Sequence, residues 1–152
     1  MHLTEREEIV TWAPTHYVFV ERVGPFAQTA QAAWQSLHAE RSALAAHNTI
    51  TGAMALYQIG PQIYRAGFML AGPAWQLPAA LQYELFAGGR YRRFVLTGPY
   101  SDLPEASGRV WQIAAQEHFQ LREDFAIEHY VNDPNGTPAE DLVTEILIPI
   151  AG

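Results

Sequence analysis

Among 152 residues there is no lysine and no cysteine, and all nine basic residues are arginine. That removes Schiff-base and general-base lysines, thiol nucleophiles, disulfides and thiolate metal sites from the chemistry open to the chain. The histidines do not group: His2, His16, His38, His47 and His118 show no i, i+4 pairing and no ligand spacing, so neither a metal nor a cofactor is expected. What remains is carboxylate and aromatic chemistry. The run that combines the two is Phe125-Ala126-Ile127-Glu128-His129-Tyr130.

If this run is a strand, its side chains alternate, so Glu128 and Tyr130 share one face and Phe125, Ile127 and His129 the other. The second set reads as the face against the helices, which points Glu128 to the opposite face, beside an aromatic ring. On a solvated face Glu128 is an ordinary strand carboxylate. Under cover it is a costly group that must meet a cation or move a proton, with burial raising its pKa. Rings around such an acid make a cation-receptive wall, because their faces attract positive charge and bury apolar bulk. The candidates for that wall are Tyr130, Tyr57, Trp111, Trp34, Phe68 and Tyr100. Some of this aromatic set must serve as ordinary core.

The elements that would hold these residues occur twice. Val23-Gly24-Pro25-Phe26 returns as Thr97-Gly98-Pro99-Tyr100 at an offset of 74, and Tyr57 to Pro61 is echoed by Tyr130 to Pro134 at an offset of 73. Two anchors at nearly equal offsets, close to half the length, indicate an internal duplication. In the first copy a strand over 17–22 ends at Gly24-Pro25, since proline fixes φ and donates nothing to a ladder. A helix over 26–46 and strands over 50–57 and 64–70 follow. In the second copy the strand is 90–96 and the helix 104–119, with Pro104 in its first turn. The closing strands are 125–131 and 144–150. A further strand over 81–86 lies in the linker, and 9–12 form an N-terminal one. The pattern is α+β: duplicated β-α-β-β units related by a pseudo-two-fold, with two main helices covering one face of an antiparallel sheet and a groove between the halves. One domain covers 1–152, with repeats of approximately 5–75 and 76–152. The copies differ where it matters: aligning Tyr57 with Tyr130 sets Ala55 opposite Glu128.

Charge follows the same asymmetry. The net −7 divides into −1 over residues 1–75 and −6 over 76–152. Such a field repels a polyphosphate backbone, and no basic cluster exceeds Arg90, Arg92 and Arg93, so nucleic acid is not an expected partner. Four charges within the first eight residues and strand-sized apolar runs give neither a signal peptide nor a membrane span. The chain reads as a cytoplasmic protein.

The phrases Tyr91 to Tyr100 and Ile127-Glu128-His129-Tyr130-Val131-Asn132-Asp133-Pro134, with the ending Thr144-Glu145-Ile146-Leu147-Ile148-Pro149-Ile150, resemble the GyrI-like bacterial effector-binding family. The Val23 to Phe26 phrase and the helix bearing Trp34 extend the likeness over roughly Glu5 to Ile150. The resemblance implies a curved antiparallel sheet with the two main helices on one face and a small-molecule ligand groove on the other, ligands that are amphipathic and often cationic or aromatic, and Glu128 as the ligand-facing acid. It implies a stand-alone binding protein for sequestration, sensing or resistance. An alternative is a hydrolase of strained cyclopropane-containing natural products, with Glu128 as general base. A second is a protein-interaction module acting on DNA gyrase, for which no residue here specifies a surface. Two departures stand out. No residues are left for a helix-turn-helix, and His129 occupies a position that is more often apolar, where it reads as a satisfied core histidine.

Overall fold

A computed structural model describes residues 1–152, apart from the side chains of residues 6 and 7. The strands are β1 His2–Trp12, β2 Thr15–Val23, β3 Ile50–Gln58, β4 Ile63–Leu70, β5 Gln82–Phe86, β6 Gly89–Thr97, β7 Ala126–Tyr130 and β8 Val143–Pro149. The helices are α1 Phe26–Ala39, α2 Arg41–Ala45 and α3 Leu103–Gln116, with short 3-10 turns at Tyr100–Asp102 and Ala139–Asp141. Two compact units result, one of Ala13–Gly88 and one of Met1–Trp12 with Gly89–Gly152.

Each unit is the same antiparallel arrangement. In the first the strand order is β5-β2-β4-β3, in the second β1-β6-β8-β7. An outer strand is followed by the first, third and second strands of a β-α-β-β motif, so the duplication read from sequence is a duplication of topology. Its two anchors do the same work. Gly24 and Gly98 sit at φ +135° and +143°, where a side chain would be strained. The Gly24 N–H donates to Gln62 O at 2.9 Å and the Gly98 N–H to Leu142 O at 2.8 Å, each carbonyl belonging to the residue just before the third strand of its motif. The following proline then releases the chain into a helical turn.

The helix expected over 26–46 is two helices, α1 and α2, separated at Glu40 (φ −100°, ψ 0°). Leu44 of α2 is fully buried, as are Ala33 and Leu37 of α1. α3 ends at Gln116 rather than 119, because His118 adopts φ +54° and turns the chain. It buries Ala106, Val110, Ile113 and Ala114 against Phe94, Leu96, Ile146 and Ile148. Each large apolar side chain closed off there is worth about 1.5–3 kcal/mol. No helix among the described residues is long and apolar enough to cross a membrane.

Register overturns one expectation. Glu128 pairs with Ile146 and Tyr130 with Thr144 across β7 and β8, while Ile146 and Thr144 pair with Phe94 and Leu96 of β6. Directly paired residues share a face, and Phe94, Leu96 and Ile146 are the residues against α3. Glu128 and Tyr130 therefore lie on the helix-bearing face of their unit, not opposite it. The physical reason is that β7 and β8 bury apolar residues on both faces: Ile127 and Leu147, on the other side, are as fully buried as Ile146. Hydrophobicity alone did not mark the helix side.

Candidate ligand-binding site

Glu128 is held in the middle of β7, its neighbours fixed by the β8 ladder. It is partly exposed, yet close enough to surrounding atoms that burial raises its pKa; the hydrogen bond from Tyr130 pulls the other way and only partly offsets this. The Tyr130 hydroxyl donates to Oε1 at 2.5 Å. No described residue hydrogen-bonds Oε2. The carboxylate is thus oriented by one oxygen and left with the second to offer.

Tyr100 completes the group. It opens the 3-10 turn after Gly98-Pro99, and its ring meets that of Tyr130 at 5.4 Å between centroids and 66° between planes. Burial raises the Tyr100 pKa, followed by the charges of Asp133 and Glu128, so the phenol stays protonated at neutral pH. Beneath the rings, Thr144 pairs with Tyr130 on the same face and is fully buried. Its hydroxyl has no hydrogen-bond partner among the described residues. An isolated buried hydroxyl costs free energy, and this one lies one strand from the acid. Sequence reasoning missed it, although the Thr144-Glu145 phrase had been singled out.

The structure therefore brings together Glu128, Tyr130 and Tyr100. Trp111 is on α3 of the same unit, half-buried against the core cluster. Trp34, Tyr57 and Phe68 belong to the other unit, Trp34 on α1 itself and Tyr57 and Phe68 on β3 and β4, and each is engaged in contacts within that unit. The Trp34 Nε1–H donates to the Tyr64 hydroxyl at 2.7 Å, Tyr57 meets Phe26 edge-on at 5.8 Å, and Phe68 meets His38 at 5.7 Å. Tyr57 is 6% exposed and Phe68 3%. The Phe26–Tyr57 pair is the repeat mate of Tyr100–Tyr130, with similar centroid spacing. Only the second unit adds an acid next to it, where Ala55 stands in the first.

His129 points to the helix-free face and is satisfied there. Its Nδ1–H donates to Glu145 Oε1 at 2.7 Å, Arg93 Nη1 donates to Glu145 Oε2 at 3.1 Å, and Arg93 also pairs with Glu8. The edge of Trp12 closes the ring at 5.3 Å. Glu145 has a lowered pKa, chiefly through the His129 hydrogen bond. Grip on this face fixes β7 beneath Glu128. Among the described residues no cluster of three or more His, Cys, Asp or Glu could hold a metal ion.

A family model, the GyrI-like small molecule binding domain, matches residues 8–151. No curated protein matches the chain by sequence. Solved structures resemble it over nearly its whole length. The EcmrR C-terminal domain superposes with a TM-score of 0.78 at 13% identity, over 96% of this chain and 97% of that one. SAV2435 bound to tetraphenylphosphonium superposes with a TM-score of 0.69 at 18% identity, over 97% and 94%. A hydrolase from Listeria innocua superposes with a TM-score of 0.62 at 13% identity, over 96% and 92%. At these identities the likeness is one of fold.

Proposed function

Because the chain belongs to the GyrI-like small molecule binding domain family, we propose that it binds amphipathic organic cations, with Glu128 as counter-charge and Tyr130 and Tyr100 as the aromatic wall. The observation that carries this reading is the half-buried carboxylate of Glu128, oriented by Tyr130 through one oxygen and with no described partner on the other. A carboxylate kept partly out of water without a cation costs free energy, which an incoming cation returns. Rings at van der Waals reach accept the apolar body of the same ligand. Binding of tetraphenylphosphonium by a structural neighbour supports the ligand class. Sequestration and sensing are both served by such a site. Titration with tetraphenylphosphonium tests it: saturable binding that weakens in Glu128→Gln is expected, and no binding in the wild type overturns it.

A second reading rests on the same carboxylate. An acid whose pKa is raised by burial is a stronger base once ionised, and a phenol at 2.5 Å can hold or return a proton. Glu128 would then activate water toward a strained ring, with the hydrolase among the structural neighbours as support for the class. Incubation with a cyclopropane-containing natural product, followed by mass spectrometry, separates the readings. A gain of one water that disappears in Glu128→Gln establishes turnover; an unchanged mass at stoichiometric enzyme leaves binding.

A further inference from the structure

The α3 helix stops before the sheet beneath it does. It covers Phe94, Leu96, Ile146 and Ile148 and ends at Gln116. On the same face of β6, the next alternate positions back along the strand are Arg92 and Arg90, arginines where an apolar pair would continue the core. The chain returns over them as Glu117 to Gln120, leaving a cleft of about 250 Å³. Arg90, Arg92 and His118 line it together with the apolar Ile9, Phe119 and Ile150. Among the described residues that line it, Glu117 is the one acid. In a chain of net charge −7 this is a local reversal of sign.

Its parts are fixed in place. The Arg92 guanidinium lies over the Phe119 ring at 4.3 Å, forming a flat plate on one wall. The Arg90 carbonyl accepts the Ile150 N–H at 3.1 Å and Arg122 Nη1 at 2.9 Å, which anchors its backbone from two sides. The turn carrying His118 is pinned by the Phe119 N–H donating to Ala114 O at 3.0 Å. Among the described residues, neither the Arg90 guanidinium nor the His118 imidazole has a side-chain partner.

We propose that this cleft is an anion-binding subsite, distinct from the Glu128 site, for a small ligand that joins one carboxylate or phosphate to a flat apolar body. The donors suit the head: a guanidinium offers forked N–H groups matched to carboxylate and phosphate oxygens, and the imidazole adds another. The plate of Arg92 and Phe119 suits the body, since a ring stacks on either component. Size sets the limit. Water occupies about 30 Å³ per molecule in the liquid, and drug-sized pockets run to about 300–1,000 Å³, so this cleft holds one ring and one charged group.

Phenyl phosphate, benzoate and inorganic phosphate titrated into the full chain by calorimetry at low ionic strength provide the test. Phenyl phosphate and benzoate are expected to bind saturably at one site, with inorganic phosphate weaker because it leaves the plate empty. The Arg90→Gln/His118→Gln double variant should weaken binding at least about tenfold, ~1.4 kcal/mol, with an unchanged thermal midpoint because both side chains are exposed. Glu128→Gln should leave it unaltered. Non-saturable binding, equal affinity in the double variant, or loss on Glu128→Gln instead would each overturn the proposal.

Discussion

Replacing Glu128 by Gln keeps the shape of the side chain and removes only its charge. At about 4 Å, a unit cation and the carboxylate attract by ~4 kcal/mol at an effective dielectric of about 20. Glu128 is partly exposed, so solvent screening removes roughly half of that, leaving ~2 kcal/mol, a loss of about 30-fold in affinity. The assay is calorimetric titration of a lipophilic cation against both proteins, beside a neutral aromatic ligand of similar size. The cation should lose about 30-fold and the neutral ligand little. Stability must move the other way: burial penalises the ionised acid, so the variant should unfold at an equal or higher temperature at pH 7. A cation constant that stays put, or a neutral ligand that falls equally, would refute the reasoning, because either outcome removes charge from the account. A lowered midpoint would show that the wild-type carboxylate is already compensated within the protein.

The remaining expectations are smaller. Glu128 has a folded pKa raised above 4.5, so the stability it contributes is present below about pH 4.5 and lost as pH rises through the raised value; cation affinity climbs over that same interval, with proton release measurable in buffers of different ionisation heat. Thr144→Val keeps the volume and removes a buried hydroxyl lacking a described partner, so it should stabilise the free protein by ~1 kcal/mol, read as a rise of roughly 2–4 °C in melting temperature. A fall instead would mean that the hydroxyl is satisfied. Gly98→Ala, forced to φ +143°, should cost ~1–3 kcal/mol in chemical denaturation. Gly108→Ala, in open space on α3, should gain ~0.5–1 kcal/mol. If both changes have the same sign, backbone conformation is not what Gly98 supplies.

Most of the fold could be read because local signals and tertiary context agree: the β-branched and aromatic runs, the Gly-Pro stops and the helical spacing all point the same way. They disagree in β1. Only 9–12 were legible as strand, since His2 to Glu8 is dense in polar residues that favour no strand locally; pairing with β6 extends it to eleven residues. The break at Glu40 carries no proline or glycine and so left no mark in the sequence. Candidate site residues were legible as types, and the composition of Glu128 beside Tyr130 needed no coordinates. Their side of the sheet did need them. Apolar residues alternate with polar ones only where one face is wet, and β7 and β8 bury apolar residues on both.

The duplication explains why an acid should stand in one unit and not in the other. Two identical aromatic corners would each be complete on packing alone, as the Phe26–Tyr57 corner is, with Trp34 bonded to Tyr64 beside it. In the second unit the corresponding corner has Tyr100 for Phe26, Glu128 for Ala55 and Thr144 in the position paired with Tyr130, as Tyr64 is with Tyr57. Two of these changes add a polar group to a face that packs against a helix, and the third exchanges the Tyr64 hydroxyl, bonded by Trp34, for a Thr144 hydroxyl with no hydrogen-bond partner among the described residues. Each is destabilising taken singly, by desolvation or by an unmet hydrogen bond. On the function proposed above, together they convert a corner of core into a place where a hydrogen-bonding, positively charged guest would restore what folding gave up. One unit keeps the apolar version of the motif, and the other, carrying most of the negative charge, holds the version that the proposed function requires.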